Sequence, residues 1–185
     1  MAKRKEWDFW FTYGIDLQQN LIHLSGDVED PMLTTLVRCL HAIGEDKDVT
    51  IILNTEGGDI AVALAIYDAI INHKGHVTIK VKGQALSSGA FILQAADVRE
   101  ATKNSIIMTH VGTWAVDSHA TNSELFYKYM KKSINKMDEV FLAKINEKHP
   151  DSPKTMKWWK SHHSWDNYYY PDEAIEFGLL DRICD

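Results

Sequence analysis

Val77-Thr78-Ile79-Lys80-Val81-Lys82-Gly83-Gln84-Ala85-Leu86-Ser87-Ser88-Gly89-Ala90-Phe91-Ile92-Leu93 is the stretch whose reading decides the fold. Val77 to Val81 reads as a strand, because apolar residues alternate with Lys80 and Lys82. The run passes through Gly83, and Ser87 to Leu93 is compact and apolar, as a buried helix requires. Just upstream the same unit stands once already. Val49 to Leu53 is a β-branched strand, Glu56-Gly57-Gly58-Asp59 a turn, and Ile60 to Ile71 an apolar helix. Strand, glycine turn and helix in repetition predict an α/β fold with mainly parallel pairing.

Working outward, Leu21 to Leu24 is a short strand closed by Gly26. Met32 to Ile43 has the helical spacing Leu33, Leu36, Val37, Leu40, with Asp30 expected as N-cap and Pro31 as first helical residue. Ile106-Ile107-Met108 is a further strand, with His110 just past its end and an irregular segment running to Ala120. Glu124 to Lys148 reads as one long helix with Phe126, Met130, Ile134, Met137, Phe141 and Ile145 on a stripe, opened by a Thr121-x-x-Glu124 capping box. At about 1.5 Å per residue it is on the order of 37 Å long, more than one domain needs, so it should project. Pro171 opens a short helix to Phe177, and Gly178 ends it before a terminal strand from Leu179 to Ile183.

The chain has 185 residues, which suits one domain over 1–185. Its net charge of −6 supplies no basic face, so nucleic acid is not an expected partner. No apolar run approaches the length of a membrane span. The aromatic start around Trp7, Trp10 and Phe11 is too short and too interrupted for a signal peptide, so a cytoplasmic protein is expected. Cys39 and Cys184 are too few and too far apart for a disulfide framework or a zinc site. Six tryptophans are many, and fit either a partner surface or an aromatic core.

For acyl-transfer chemistry, a serine where a strand enters a helix meets free N–H groups and the positive end of a helix dipole. Ser87 and Ser88 both stand there, and physics alone does not separate them; a lone serine in that place is more often only a cap. The Gly57-Gly58 turn, at the same edge of a parallel sheet, could add an N–H to an oxyanion hole, or serve only as a tight turn. His110 is the best of nine histidines for a base, because its strand follows the serine unit. His119, His162 and His163 read as solvated loop residues. Asp166, in Trp165-Asp166-Asn167-Tyr168, could be a partly buried carboxylate orienting an imidazole, though a structural role fits as well.

Taken together, these segments resemble the proteolytic subunit of the Clp protease, ClpP, over nearly the whole chain. Asn54-Thr55-Glu56-Gly57-Gly58 is similar to the family's Asn-Ser-Pro-Gly-Gly turn, and Ala65-Ile66-Tyr67-Asp68 to its Ala-Ile-Tyr-Asp helix. Gly83-Gln84-Ala85-Leu86-Ser87-Ser88-Gly89-Ala90 resembles its Gly-Gln-Ala-Ala-Ser-Met-Gly-Ala nucleophile segment. Met108-Thr109-His110 resembles the family's Met-Ile-His, and Pro171 to Asp181 follows its ending with one local offset.

The resemblance implies a divergent serine endopeptidase with a ClpP/crotonase-like αβ superhelix. It assigns Ser87 as nucleophile, His110 as base, Asp166 as its orienter, and the Gly58 and Ser88 N–H groups as the oxyanion hole. It implies polypeptide substrates, a homo-oligomer of stacked seven-membered rings joined by a handle helix (about 123–148), and no cofactor or metal. ATP would enter only through a separate AAA+ unfoldase, since the chain has no phosphate-binding Gly-x-x-x-x-Gly-Lys-Ser/Thr loop. Alternatives are a non-catalytic ring subunit and a crotonase-fold CoA enzyme.

The chain departs from the family pattern at several places. Glu56 replaces a proline, and His-Gln-Pro becomes His110-Val111-Gly112-Thr113-Trp114. An insertion between Lys148 and Trp165 brings in Trp158, Trp159 and two histidines. Thr50, Ile52 and Asn72 stand where the family places aromatic residues that dock the unfoldase.

Overall fold

The computed structural model describes residues 14–112 and 120–184, so Trp7, Trp10, Phe11, Thr113, Trp114 and His119 lie outside the described residues. In chain order the elements are β1 (Ile15–Asp16), β2 (Leu21–Ser25), α1 (Asp30–Ile43), β3 (Val49–Thr55), α2 (Ile60–Ile71), β4 (Val77–Leu86) and α3 (Ser88–Leu93). They continue with β5 (Val98–Thr102), β6 (Ile106–Thr109), α4 (Ala120–Lys148), α5 (Met156–His162), β7 (Asn167–Tyr169), α6 (Pro171–Phe177) and β8 (Arg182–Cys184). The fold is the expected α/β arrangement: β2, β3, β4, β5 and β8 pair in parallel in that order, and β1 closes one edge antiparallel.

Strand β4 is long because it belongs to two pairings. Its first half, Thr78 to Val81, pairs with β5, whereas Gln84 to Leu86 pair with β6. Between the halves stands Gly83 at φ +111°, and β3 shifts register there between Leu53 and Thr55. The Gln84 N–H, displaced from the regular ladder, donates to the Asn54 side chain (3.1 Å). This bulge sends the end of β4 out of the main sheet toward β6 and β7, which form the site.

The core lies between sheet and helices, on Ile22, Leu24, Ile51, Leu53, Ile79 and Val81 of the strands and Leu36, Ile66 and Phe91 of the helices. A file of rings ties the helices together: Tyr67 stacks on Phe91 (4.8 Å between centroids), Phe91 meets Phe141 edge-on (6.1 Å), and Phe141 meets Trp159 (5.3 Å). Thus α2, α3, α4 and α5 share one aromatic seam.

Several local expectations are corrected. Helix α1 is capped by Glu29 in extended conformation, without a side-chain bond, so Asp30 lies inside the helix. Helix α4 is already helical at Ala120, which puts the Thr121 backbone within the helix rather than at its N-cap. The terminal strand is Arg182–Cys184, because Leu179 and Leu180 are buried in the turn after α6. Strand β5 carries no apolar signal in the sequence, since its buried Arg99 and Glu100 read as polar. Arg99 is satisfied by Asp181 (2.5 Å), Gln94 and the Gly178 carbonyl, and Glu100 by Lys80 and Arg182, so both charges are buried in pairs.

On the α4 stripe, Met130, Phe141 and Ile145 are buried and Phe126 is exposed. No helix among the described residues is long and apolar enough to cross a membrane. Cys39 and Cys184 are not joined in a disulfide, and burial pushes the Cys39 thiol up to about 11.

Candidate active site

Ser87 sits between β4 and α3 at φ +54°, ψ −121°, a conformation a non-glycine residue adopts at a cost of order 1–3 kcal/mol. Surrounding structure holds it there. Its N–H donates to the Met108 carbonyl of β6 (2.9 Å), and its own carbonyl accepts from Ala90 and Phe91 of α3. The turn thereby lifts the hydroxyl clear of the sheet edge and starts a helix immediately beyond it.

His110 follows β6 directly, and Asp166 directly precedes β7. Strands β6 and β7 are antiparallel with Thr109 opposite Asn167, so the next pair outward sets His110 opposite Asp166. That register brings together two residues 56 positions apart. His110 Nε2 lies 2.8 Å from Ser87 Oγ, and its Nδ1 lies 3.1 Å from Asp166 Oδ1. The hydroxyl, imidazole and carboxylate form one hydrogen-bonded chain. Asp166 differs from the partly buried carboxylate expected: 58% of its side chain is accessible, because β7 is an edge strand with solvent beyond it.

The glycine turn completes the edge. Gly57 and Gly58 have φ +102° and +150°, and a Cβ on Gly57 would stand 2.8 Å from both the Leu86 carbonyl and Ser87 Cβ. At Gly58 a Cβ would come within 2.5 Å of the Val28 carbonyl, so only glycine fits both positions. Val28 donates to the Gly57 carbonyl and accepts from the Asp59 N–H. This parallel bridge leaves Gly58's own N–H and C=O on the far side, where the carbonyl accepts from Ser88 Oγ (2.9 Å). Ser88 is thus engaged through its side chain, while its N–H belongs to the first turn of α3, which has no intrahelical acceptor. Beside the turn, Glu56 accepts from Gln84 (3.2 Å) at the surface.

Next to Ser87 opens a cavity of about 210 Å³ walled by Ile60, Ile134, Met137 and Phe141, with Asp138 and His163 also in its lining. The expectation that His162 and His163 are solvated is corrected here. Helix α5, capped by Thr155, packs its Trp159 against α4 and carries both histidines inward. His163 is 5% exposed, stacked on Trp159 (4.4 Å), and desolvation, aided by the nearby His110 and His162, lowers its pKa to about 4. His162 shares a 2.9 Å hydrogen bond with the Tyr169 hydroxyl, and burial lowers its pKa as well.

Asp138 accepts from Trp159 Nε1 (2.8 Å), and burial raises its pKa despite that bond. Neither Asp138 nor the depth of His163 was legible in the sequence, where Asp138 stands among the charges of a helix and signals nothing. Among the described residues no group of three or more His, Cys, Asp or Glu side chains could hold a metal ion. Compared with known families, residues 5–185 match the model of the family described as Clp protease.

Proposed function

The chain belongs to the Clp protease family, and from that premise we propose that it is a serine endopeptidase acting through Ser87, His110 and Asp166. The observation that carries this reading is the continuous hydrogen-bonded chain from Ser87 Oγ through His110 to Asp166, at 2.8 and 3.1 Å. His110 Nε2 takes the Ser87 proton as Oγ attacks the peptide carbonyl, and Asp166 keeps the other nitrogen protonated and the ring in place. The tetrahedral oxyanion is held by the N–H groups of Gly58 and Ser88, which the bridge to Val28 and the start of α3 leave available. His110 then returns the proton to the leaving amine, and water releases the acyl group by the same steps in reverse.

The substrates are unfolded polypeptides reaching the serines inside a ring-shaped homo-oligomer of cytoplasmic location. The bond chemistry uses no metal or nucleotide, and ATP acts only through a separate unfoldase. A fluorophosphonate probe with peptide mapping tests the assignment. Ser87 is expected to carry the label, Ser87→Ala to abolish it, and Ser88→Ala to retain it, since Ser88 Oγ is turned to the Gly58 carbonyl. Label on Ser88 would overturn the assignment, and absence of any label would favour a non-catalytic ring subunit.

A further inference from the structure

The cavity beside Ser87 is apolar on its walls but not throughout. Ile60, Ile134, Met137 and Phe141 line it together with two buried polar side chains, Asp138 from α4 and His163 from the end of α5. Their facing atoms, Asp138 Oδ1 and His163 Nε2, stand 4.0 Å apart, too far for a direct hydrogen bond. Asp138 Oδ1 already accepts from Trp159 Nε1, which leaves a second lone pair on that oxygen. Lys160 does not fill the gap, because it approaches the other carboxylate oxygen at 3.9 Å and donates to Asn135. On the opposite side of the imidazole, His163 Nδ1 is buried without a partner. The neutral ring therefore favours its proton on Nε2, facing the carboxylate, since a bare lone pair at the sealed Nδ1 is less costly than a bare N–H there.

We propose that this cavity is a specificity pocket for the substrate residue on the acyl side of the cleaved bond, and that Asp138 and His163 select tyrosine over phenylalanine. The inference rests on the peptidase reading above. A single oxygen set between the two groups accepts from His163 Nε2–H and donates to Asp138 Oδ1, closing the 4.0 Å gap. A hydroxyl is the group that does both at once. A carboxylate would be repelled by Asp138, and an ammonium would have nothing to accept the His163 proton with. The apolar walls of Ile134, Met137 and Phe141 suit an aromatic ring between the hydroxyl and the reacting carbonyl. Phenylalanine would fit the walls but strip water from both polar groups and return no bond, the circumstance in which a site rejects an analogue lacking a hydroxyl most strongly.

Two peptide substrates that are identical except for Tyr or Phe before the cleaved bond, each with a fluorogenic amide leaving group, test this on the full-length assembled protein. The kcat/KM for the Tyr peptide is expected to exceed that for the Phe peptide by at least about tenfold. In His163→Phe, which keeps a ring against Trp159, that ratio should fall toward one. Because the ratio is internal to each protein, a change in overall activity does not obscure it. Equal rates for the two peptides in the unaltered protein, or a ratio unchanged in His163→Phe, would overturn the proposal, and the first needs no variant to fold.

Should neither peptide be cleaved, the peptidase reading fails first, and the pocket is decided by binding. Acetyl-tyrosine amide and acetyl-phenylalanine amide are titrated while the methyl resonance of Met137 is followed. Tighter binding of the tyrosine amide supports the selection, and indistinguishable binding overturns it.

Discussion

Asp166 keeps 58% of its side chain accessible, so water weakens its field at His110 more than at a buried carboxylate. Its main role in the proposed site is then to accept from Nδ1 and so fix which nitrogen carries the proton. Asparagine there could donate instead, which would move the proton to Nε2 and leave no base facing Ser87. Asp166→Asn is therefore expected to lower kcat by between about 10² and 10⁴ with little change in KM, the upper value being that of a buried triad acid. Steady-state kinetics on a peptide substrate check this, and near-full activity would assign the orienting role elsewhere. Residue type alone does not separate Ser87 from Ser88. The two differ in backbone and partners: Ser87 holds φ +54° with its hydroxyl 2.8 Å from His110, while Ser88 bonds to Gly58.

Helix α5 changes what the chain between Lys148 and Trp165 means. As sequence it reads as an insertion carrying two tryptophans and two solvated histidines, yet Trp159 is fully buried and its Nε1 donates to the Asp138 carboxylate. A hydrogen bond to a charged group contributes roughly 1.5–3 kcal/mol, so Trp159→Phe should destabilise by about that amount in urea unfolding. The same packing makes the fold acid-sensitive. His163 has a folded-state pKa of about 4 against an ordinary 6.5, so between those values the unfolded chain binds more protons than the folded one. Stability from this residue is complete above pH 6.5 and lost as pH falls toward 4, a change on the order of 3 kcal/mol.

His162 acts with the same sign. Asp138 acts with the opposite sign: its raised pKa favours the protonated form in the fold, so its contribution recovers at low pH. Urea midpoints at pH 7.5 and 4.5, at fixed protein concentration, should show a clear acid loss in the unaltered protein. His163→Phe should show a markedly smaller one, and an equal loss in both would assign the acid sensitivity to other groups.

The first turns of α4 leave Leu125 63%, Tyr127 52% and Tyr129 50% exposed, with Phe126 beside them. An apolar group of that kind at the end of a 29-residue helix is a surface that another copy of the chain would cover. The particle in solution is expected to be many times 21.1 kDa by light scattering, and Leu125→Glu should reduce that mass. A monomer at micromolar concentration would contradict the ring.

Docking of an unfoldase is expected to be weak. Ile52 is buried, Thr50 lies two residues away on the same strand face, and Asn72 is spent capping α2 through the Asp68 carbonyl. Three positions that would carry aromatic anchors thus offer none, and each such anchor is commonly worth more than about 2 kcal/mol. With a bacterial Clp unfoldase, ATP and a tagged folded substrate, little degradation is expected while a short peptide is still cut. Efficient degradation of the folded protein would show that other residues form the dock.

From the sequence alone came the repeated strand-turn-helix unit, α2 and α6 to the residue, and the candidates Ser87, His110, Asp166, Gly58 and Ser88. The elements rest on local signals, apolar period and glycine turns, whereas the roles of the site candidates rest on the resemblance of the ordered motifs to the Clp protease family. What tertiary structure decided lies where the chain meets itself at a distance. The antiparallel pairing of β6 with a three-residue, polar β7 sets Asp166 against His110, and the bulge at Gly83 aims β4 at both. The burial of Arg99, Glu100, Asp138 and His163 likewise depends on partners from remote segments. A polar side chain declares nothing in sequence about whether its partner will be water or another part of the protein, and only packing makes that choice.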